Sequence, residues 1–289
     1  MTDAVLAAED LTYSYDGGAP ALEGLDLVVR RGRRLALVGA NGAGKTTLLL
    51  HLNGTLRPRG GSVWINGRRA DYGRRGLTTW RQVVGLVFQN PEDQLFAGTV
   101  AQDVSFGPMN LGIPIAEVRA RVDDALESLD ITGLRERPTH MLSFGQKKRA
   151  AIAGAVAMRP EVLIIDEPLA GLDPSGADHL LAVLERLTGA GTTLVLATHD
   201  MALAYAWADE VAVLHGGGIA ACGDPADVMS DAALLHASGL RVPWVLDVDT
   251  RLQAAGVLGP GAGPRRSRAD LLEALEALRQ PASSSVPQC

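Results

Sequence analysis

Apolar residues in this chain gather in short runs separated by glycine-containing turns, and a helical period occupies the middle. Leu35 to Val38, Val83 to Phe88, Val162 to Ile165 and Leu194 to Ala197 are runs of buried-strand character. Val5 to Tyr15 alternates and ends at the turn Asp16-Gly17-Gly18, which predicts an edge strand with Leu22 to Val29 as its antiparallel partner. Ser62 to Ile65 followed by Asn66-Gly67 predicts a hairpin. Val211 to Leu214, Gly216 to Gly218 and Ile219 to Cys222 predict another. Arg68 to Arg81 is polar and arginine-rich and reads as a solvated loop.

From Asn90 to Pro160 the pattern turns helical. Val118, Val122, Leu126 and Leu129 recur at helical spacing after Pro114. Ser143 suits the N-cap of a helix running Lys147 to Met158. Asp173-Pro174 opens another helix, to Ala190, and Pro225 to Ser238 also reads as helical. Gly256 to Arg268 reads as a linker, Arg268 to Leu278 as a short amphipathic helix, and Pro281 to Cys289 as a disordered tail. This is an α/β chain with a helical lobe inserted between strands.

Composition narrows the class. The chain has 289 residues, 47% of them hydrophobic, enough for one large core or a core with a smaller lobe. A net charge of −6 argues against a nucleic-acid partner. No apolar run approaches the ~18 residues of a membrane span, and Met1-Thr2-Asp3 does not begin a signal peptide. Two cysteines, Cys222 and Cys289, are too few for a disulfide framework and suit a reducing compartment. The histidines are scattered without metal-ligand spacing.

The chemistry centres on Gly39-Ala40-Asn41-Gly42-Ala43-Gly44-Lys45-Thr46, between the strand ending at Val38 and a helix over Thr47 to Leu52 that stops at Asn53-Gly54. Strand, glycine loop and helix form the context of a phosphate-binding loop. Gly39, Gly42 and Gly44 let backbone N–H groups turn inward, and the helix N-terminus adds positive charge. Lys45 can reach outer phosphates and the Thr46 hydroxyl can ligate Mg²⁺. Only Lys45, Lys147 and Lys148 are lysines in an otherwise arginine-based chain. A compact ammonium at the loop is therefore notable, because a planar guanidinium fits poorly among phosphate oxygens.

Asp166 and Glu167 end an apolar strand, where adjacent buried carboxylates are costly without a use. Asp166 fits a Mg²⁺ shell, and Glu167 fits a base or a water-positioning group. His199 ends the strand Leu194 to Ala197 and becomes a candidate γ-phosphate sensor at the same sheet edge. Tyr13 and Tyr15 share one face of the first strand, where a ring could stack on a purine or simply pack. Lys147, Lys148 and Arg149 oppose the helix dipole by about 0.3–1 kcal/mol each, which makes sense if that helix start faces an anion.

Gly39 to Thr46, Gln89, Leu142-Ser143-Phe144-Gly145-Gln146, Ile165 to Glu167, Asp173 and His199 together resemble the ATP-binding subunits of ABC transporters. The resemblance covers about Val5 to Met229. Phe88 to Phe96 and Leu142 to Arg149 further resemble the energy-coupling-factor group, especially its cobalt and nickel importer ATPases. Phe144 departs from the usual signature, which carries glycine there.

The resemblance implies a P-loop ATPase of ABC type over residues 4–238. Its core would be a mostly parallel sheet, with an antiparallel β subdomain and a helical subdomain at about 90–160. Residues 239–289 would form a C-terminal extension. ATP and Mg²⁺ are implied, with Tyr15, Gly39, Ala40, Asn41, Gly42, Ala43, Gly44, Lys45, Thr46 and Thr47 at the nucleotide and Thr46, Gln89 and Asp166 at the metal. Glu167, His199 and Gln89 would be catalytic. Ser143, Gly145 and Gln146 would contact the ATP of a second subunit, with Asp173 in the D-loop.

Implied partners are integral membrane subunits and a homodimeric or heterodimeric ATPase mate, at the cytoplasmic face of the membrane. The solute would be cobalt or nickel, with a vitamin such as biotin as the alternative. A soluble ABC ATPase of DNA repair would carry a long coiled coil between Lys45 and Ser143, where no heptad run occurs. A ribosomal ABC factor would carry two nucleotide domains, whereas one P-loop is present. A small-molecule kinase would not explain Leu142 to Gln146.

Overall fold

Residues 3–259 and 264–278 are described by the computed structural model. The chain begins with a long hairpin, β1 (Ala4–Ser14) and β2 (Pro20–Arg30), and enters the core through β3 (Arg34–Val38). Helix α1 (Lys45–Leu52) follows, then β4 (Gly60–Ile65), β5 (Arg68–Arg69), α2 (Arg74–Val83) and β6 (Val84–Val87). The inserted lobe is α3 (Val100–Met109), α4 (Ile115–Ser128) and α5 (Phe144–Val156). The chain returns through β7 (Val162–Asp166), α6 (Pro174–Gly189), β8 (Thr193–Thr198) and α7 (Met201–Trp207). The hairpin β9 (Glu210–His215) and β10 (Gly218–Gly223) precedes α8 (Pro225–Ser230), α9 (Ala232–Ala237), α10 (Trp244–Ala254) and α11 (Arg268–Ala277).

Six strands form the core sheet, in the order β10-β9-β3-β8-β7-β6. All neighbours are parallel except the β9–β10 edge pair. Alternation along the strands feeds two cores. Ala36, Leu163, Ile165 and Leu196 pack with the helical lobe, while Leu35, Leu37, Ile164 and Val195 pack with α1 and the second sheet. A strand buried on both faces must be apolar throughout, hence the unbroken runs.

The second sheet is antiparallel, in the order β2-β1-β4-β5. β1 is therefore an interior strand, paired with both β2 and β4, and not the edge strand its alternation suggested. A strand's place in a sheet depends on which segments return beside it, and the partner here arrives some fifty residues later.

Arg68 to Arg81 is not a loop. β5 pairs with β4 across the Asn66-Gly67 turn, where φ is 50° and 73°, and α2 follows. Leu77, Trp80 and Val83 give α2 a narrow apolar stripe beneath its arginines. Trp80 is 1% exposed and its Nε1–H donates to Leu52 O at 2.9 Å. Gly54 makes room for it: φ there is 75°, and a Cβ would lie 2.7 Å from the indole. The predicted helix over Pro225 to Ser238 divides at Asp231, which caps α9. α10 has no counterpart in the sequence reading. The predicted tail Pro281 to Cys289 lies outside the described residues.

Candidate functional site

Three neighbouring parallel strands, β3, β8 and β7, set the site. Their carboxyl ends release the glycine loop, His199 and the Asp166–Glu167 pair along one edge, where ligands bind open α/β sheets. The loop needs glycine at two points in particular. Gly42 and Gly44 have φ of 80° and 106°, and a Cβ on Gly44 would meet Ala21 O at 2.5 Å. The loop then delivers Lys45 as the first residue of α1.

Lys45 is buried, and its Nζ donates to Gly39 O at 2.7 Å and Ala40 O at 3.1 Å. Burial lowers its pKa, opposed by the Glu167 and Asp166 carboxylates. Thr46 Oγ1 donates to Asp166 Oδ2 at 2.7 Å. Asp166 has its pKa raised by burial, resisted by the Thr46 hydrogen bond and reinforced by the charge of Glu167. A buried acid under such pressure is eased by a cation.

Glu167 sits at φ 46°, a left-handed conformation uncommon outside glycine. Its Oε1 accepts from the His199 backbone N–H at 3.1 Å and lies 2.7 Å from His199 Nδ1. Its Oε2 accepts from Thr198 Oγ1 at 3.1 Å.

A cavity of about 490 Å³ joins these groups. Lys45, Thr46, Thr47, Gln89, Asp166, Glu167 and His199 all line it, with Asn41, Gly42 and Gly44 from the loop and Tyr15 at its wall. Tyr15 is 48% exposed, with its hydroxyl 3.3 Å from Thr47 Oγ1. Tyr13 instead packs edge-on between Tyr15 and His51, so only Tyr15 offers an open ring. Gly39 and Ala40 line a second cavity behind the loop, shared with Gly239 to Trp244 of the C-terminal extension. Backbone N–H groups, an ammonium and a helix start suit a polyphosphate. The Thr46 hydroxyl, Asp166 carboxylate and Gln89 amide are hard oxygen donors that fit Mg²⁺.

Ser143, Gly145, Gln146 and Asp173 do not line this cavity. Ser143 caps α5, with its Oγ accepting from Gln146 N–H while the Gln146 side chain returns to Ser143 N–H. Asp173 caps α6 through Gly176 N–H. Phe144 is accommodated because its ring lies over Gly171, where φ is 76° and a Cβ would approach the ring to 2.4 Å.

The cations of the first turn of α5 do not present themselves to an external anion. Lys147 pairs with Glu92, and Arg149 reaches Asp130 O. Lys148 is fully buried and donates to Gln89 O at 3.0 Å and Glu167 O at 2.6 Å. Its pKa is lowered to about 8 by burial, against the pull of Asp166 and Glu167. Lys148 and Thr198 are site residues that the sequence reading missed. The scarcity of lysine that singled out Lys45 could also have pointed to Lys148.

Comparison with known proteins agrees with this geometry. The family profile for ABC transporters matches residues 22–170. The cobalt import ATP-binding protein CbiO of Rhodobacter capsulatus is 55% identical over 91% of this chain and 94% of its own length. The energy-coupling factor transporter ATP-binding protein EcfA of Methanothermobacter thermautotrophicus is 48% identical over 87% of this chain and 81% of its own. Among solved structures, cbiO1 of Clostridium perfringens, part of the ABC transporter complex cbiONQ, superposes with a TM-score of 0.73 at 41% identity. The match covers 86% of this chain and 99% of that one. A dimeric ATP-binding cassette bound to ADP and phosphate shares the fold, with a TM-score of 0.71 at 24% identity. With a glycine loop, paired carboxylates and a histidine at one sheet edge, the chain belongs to the ABC transporter family as an ATP-binding, ATP-hydrolysing subunit.

Proposed function

We propose that this chain is the motor of an energy-coupling-factor importer whose solute is cobalt or nickel. The observation that carries the solute is the 55% identity, over nearly the whole chain, to a protein named for cobalt import. ATP would lie with its adenine against Tyr15 and its phosphates in the loop Gly39 to Thr47. Lys45 holds the outer phosphates, and Thr46, Asp166 and Gln89 hold Mg²⁺. When bound, the ion neutralises phosphate charge. Glu167 orients or deprotonates the attacking water, and His199 and Gln89 read the γ-phosphate.

Two subunits pair head to tail. Ser143, Gly145 and Gln146 of each then reach the other's nucleotide, with Asp173 at the junction. Ser143 and Asp173 are exposed, Gly145 and Gln146 are half-buried, and none of the four lines the Lys45 cavity, which supports a role across an interface. Both Glu167 and the signature are present, so a homodimer is competent.

Integral membrane subunits dock on the groove beyond Gln89, beside the exposed rings of Phe96 and Phe106. The chain acts at the cytoplasmic face. Among the described residues no helix is long and apolar enough to cross a membrane. Solute selectivity resides in the membrane partner. Residues 4–238 act as the nucleotide-binding domain, with 90–160 as its helical part and 239–289 as an extension.

The test is deletion of the gene followed by uptake of radiolabelled cobalt and radiolabelled biotin. Lost cobalt uptake with normal biotin uptake is expected. Normal metal uptake with lost biotin uptake overturns the solute and selects the vitamin.

A further inference from the structure

Lysine is rare here and a buried lysine rarer. Lys148 is 0% exposed, on the turn of α5 that follows Ser143 to Gln146. Burying an ammonium is expensive unless its donors are used and opposite charge is near. Both conditions hold. Its Nζ donates to Gln89 O and Glu167 O, and the Asp166 and Glu167 carboxylates attract it.

What it holds is unusual. Glu167 sits at φ 46°, and its backbone is bonded on both sides: its N–H donates to Ala197 O at 2.8 Å, and its carbonyl accepts from Lys148. A residue in that region persists only when its surroundings over-determine it. The Ala197 bond comes from β8. The Lys148 bond comes from another element, the signature helix.

The same helix grips the segment from Phe88 to Gln94. Lys147 pairs with Glu92, and the Gln94 amide donates to Ala151 O at 3.3 Å while accepting from Phe88 N–H at 3.2 Å. Among these contacts only Lys148 reaches both that segment and Glu167.

We propose that Lys148 is a positioning residue: its ammonium holds the Glu167 backbone and the Gln89 carbonyl in hydrolysis-ready register with the signature helix. This rests on the role proposed above for Glu167. Lys148 does not line the Lys45 cavity and acts through the two carbonyls. It gives the helix that faces one ATP a direct bond to the backbone of the residue whose carboxylate serves the other.

The test uses Lys148→Met, which keeps the length and removes every donor, and Lys148→Gln, which keeps an amide donor. Each is made in the full chain, alone and with Glu167→Gln. Steady-state ATPase activity and ATP affinity by calorimetry are measured for each. For Lys148→Met, kcat should fall roughly 10–100-fold while the ATP Kd stays within about threefold. Lys148→Gln should be milder. In the Glu167→Gln background, either change should slow turnover no further, because residues that act as a unit are not additive.

Wild-type kcat in both single variants overturns the proposal, as does a further loss of equal factor in the double variants. A drop confined to ATP affinity overturns it as well. Should Lys148→Met fail to fold, the Lys148→Gln pair decides alone. If Glu167→Gln itself retains wild-type turnover, the role of Glu167 fails instead, and the two failures are distinct.

Discussion

Glu167→Gln is the substitution in which structure and chemistry separate most cleanly. The amide keeps the shape of the side chain, and its oxygen can still accept from His199 N–H and Nδ1–H, as Oε1 does now. Its NH₂ then faces Thr198 Oγ1, which already accepts from Asp200 N–H at 3.1 Å and has a second lone pair to offer. The contacts survive with one bond reversed, and the Thr198 hydroxyl proton loses its acceptor, so the fold should lose about 1–3 kcal/mol at most. The change also removes a negative charge that helps to raise the pKa of Asp166. ATP binding should therefore be preserved.

What disappears is the basic lone pair aimed into the cavity. A lost general base costs roughly 10²–10⁴ in rate, about 2.7–5.4 kcal/mol of barrier. The assay is steady-state phosphate release at saturating ATP, paired with calorimetric ATP affinity and sedimentation. Expected are at least about a hundredfold slower turnover, a Kd within about threefold and an ATP-bound dimer. Hydrolysis at the wild-type rate would refute the assignment and move the base elsewhere. A variant that stays monomeric with ATP, with no second ATPase present, would refute the competent homodimer.

Lys45→Ala should abolish ATP binding, because it removes the one lysine lining the cavity; unchanged affinity by calorimetry would contradict the loop's role. Gly171→Ala should cost about 1–2 kcal/mol for the left-handed backbone and about 0.5–1.5 more for turning the exposed Phe144 ring aside, read by urea denaturation. Phe144→Ala in the same chain should recover only the clash portion, and no recovery would mean that the ring does not set the cost. His51 is fully buried, and burial lowers its pKa from 6.5. Its unfolded form binds the extra proton first, so stability is full above about pH 6.5 and falls toward the folded pKa by at most about 1.4 kcal/mol per pH unit. His51→Gln should flatten that acid-side slope in urea titrations at stepped pH, and parallel wild-type and variant curves would rule it out.

Much of the fold was legible because its signals are local. The apolar runs of β3, β7 and β8 reflect burial on both faces, which any topology enclosing them would demand. Ser143 with Gln146, and Asp173 with Gly176, are helix starts written within four residues. The order of loop, carboxylates and histidine along a strand-and-helix chain already placed them on one sheet edge.

Misreadings occurred where distant residues decide. The arginines of α2 concealed a three-residue apolar stripe, whose meaning depends on Leu52 and Gly54 in an earlier helix end. The alternation of β1 describes one strand, yet its interior place was decided by the return of β4. Lys148 looked like an unfavourable charge at a helix start; only the packed structure brings Gln89 and Glu167 to its ammonium.

By itself, the sequence determined most of the strands, the helix starts at Ser143 and Asp173, the phosphate loop and the inventory of chemical groups, since each depends on neighbours a few positions away. Tertiary structure decided which groups meet. Thr46 and Asp166 lie 120 positions apart and share a 2.7 Å hydrogen bond, and Glu167 and His199 lie 32 apart and share another of that length. Such encounters follow from strand order and register, which emerge only when the whole core closes around both faces of the sheet.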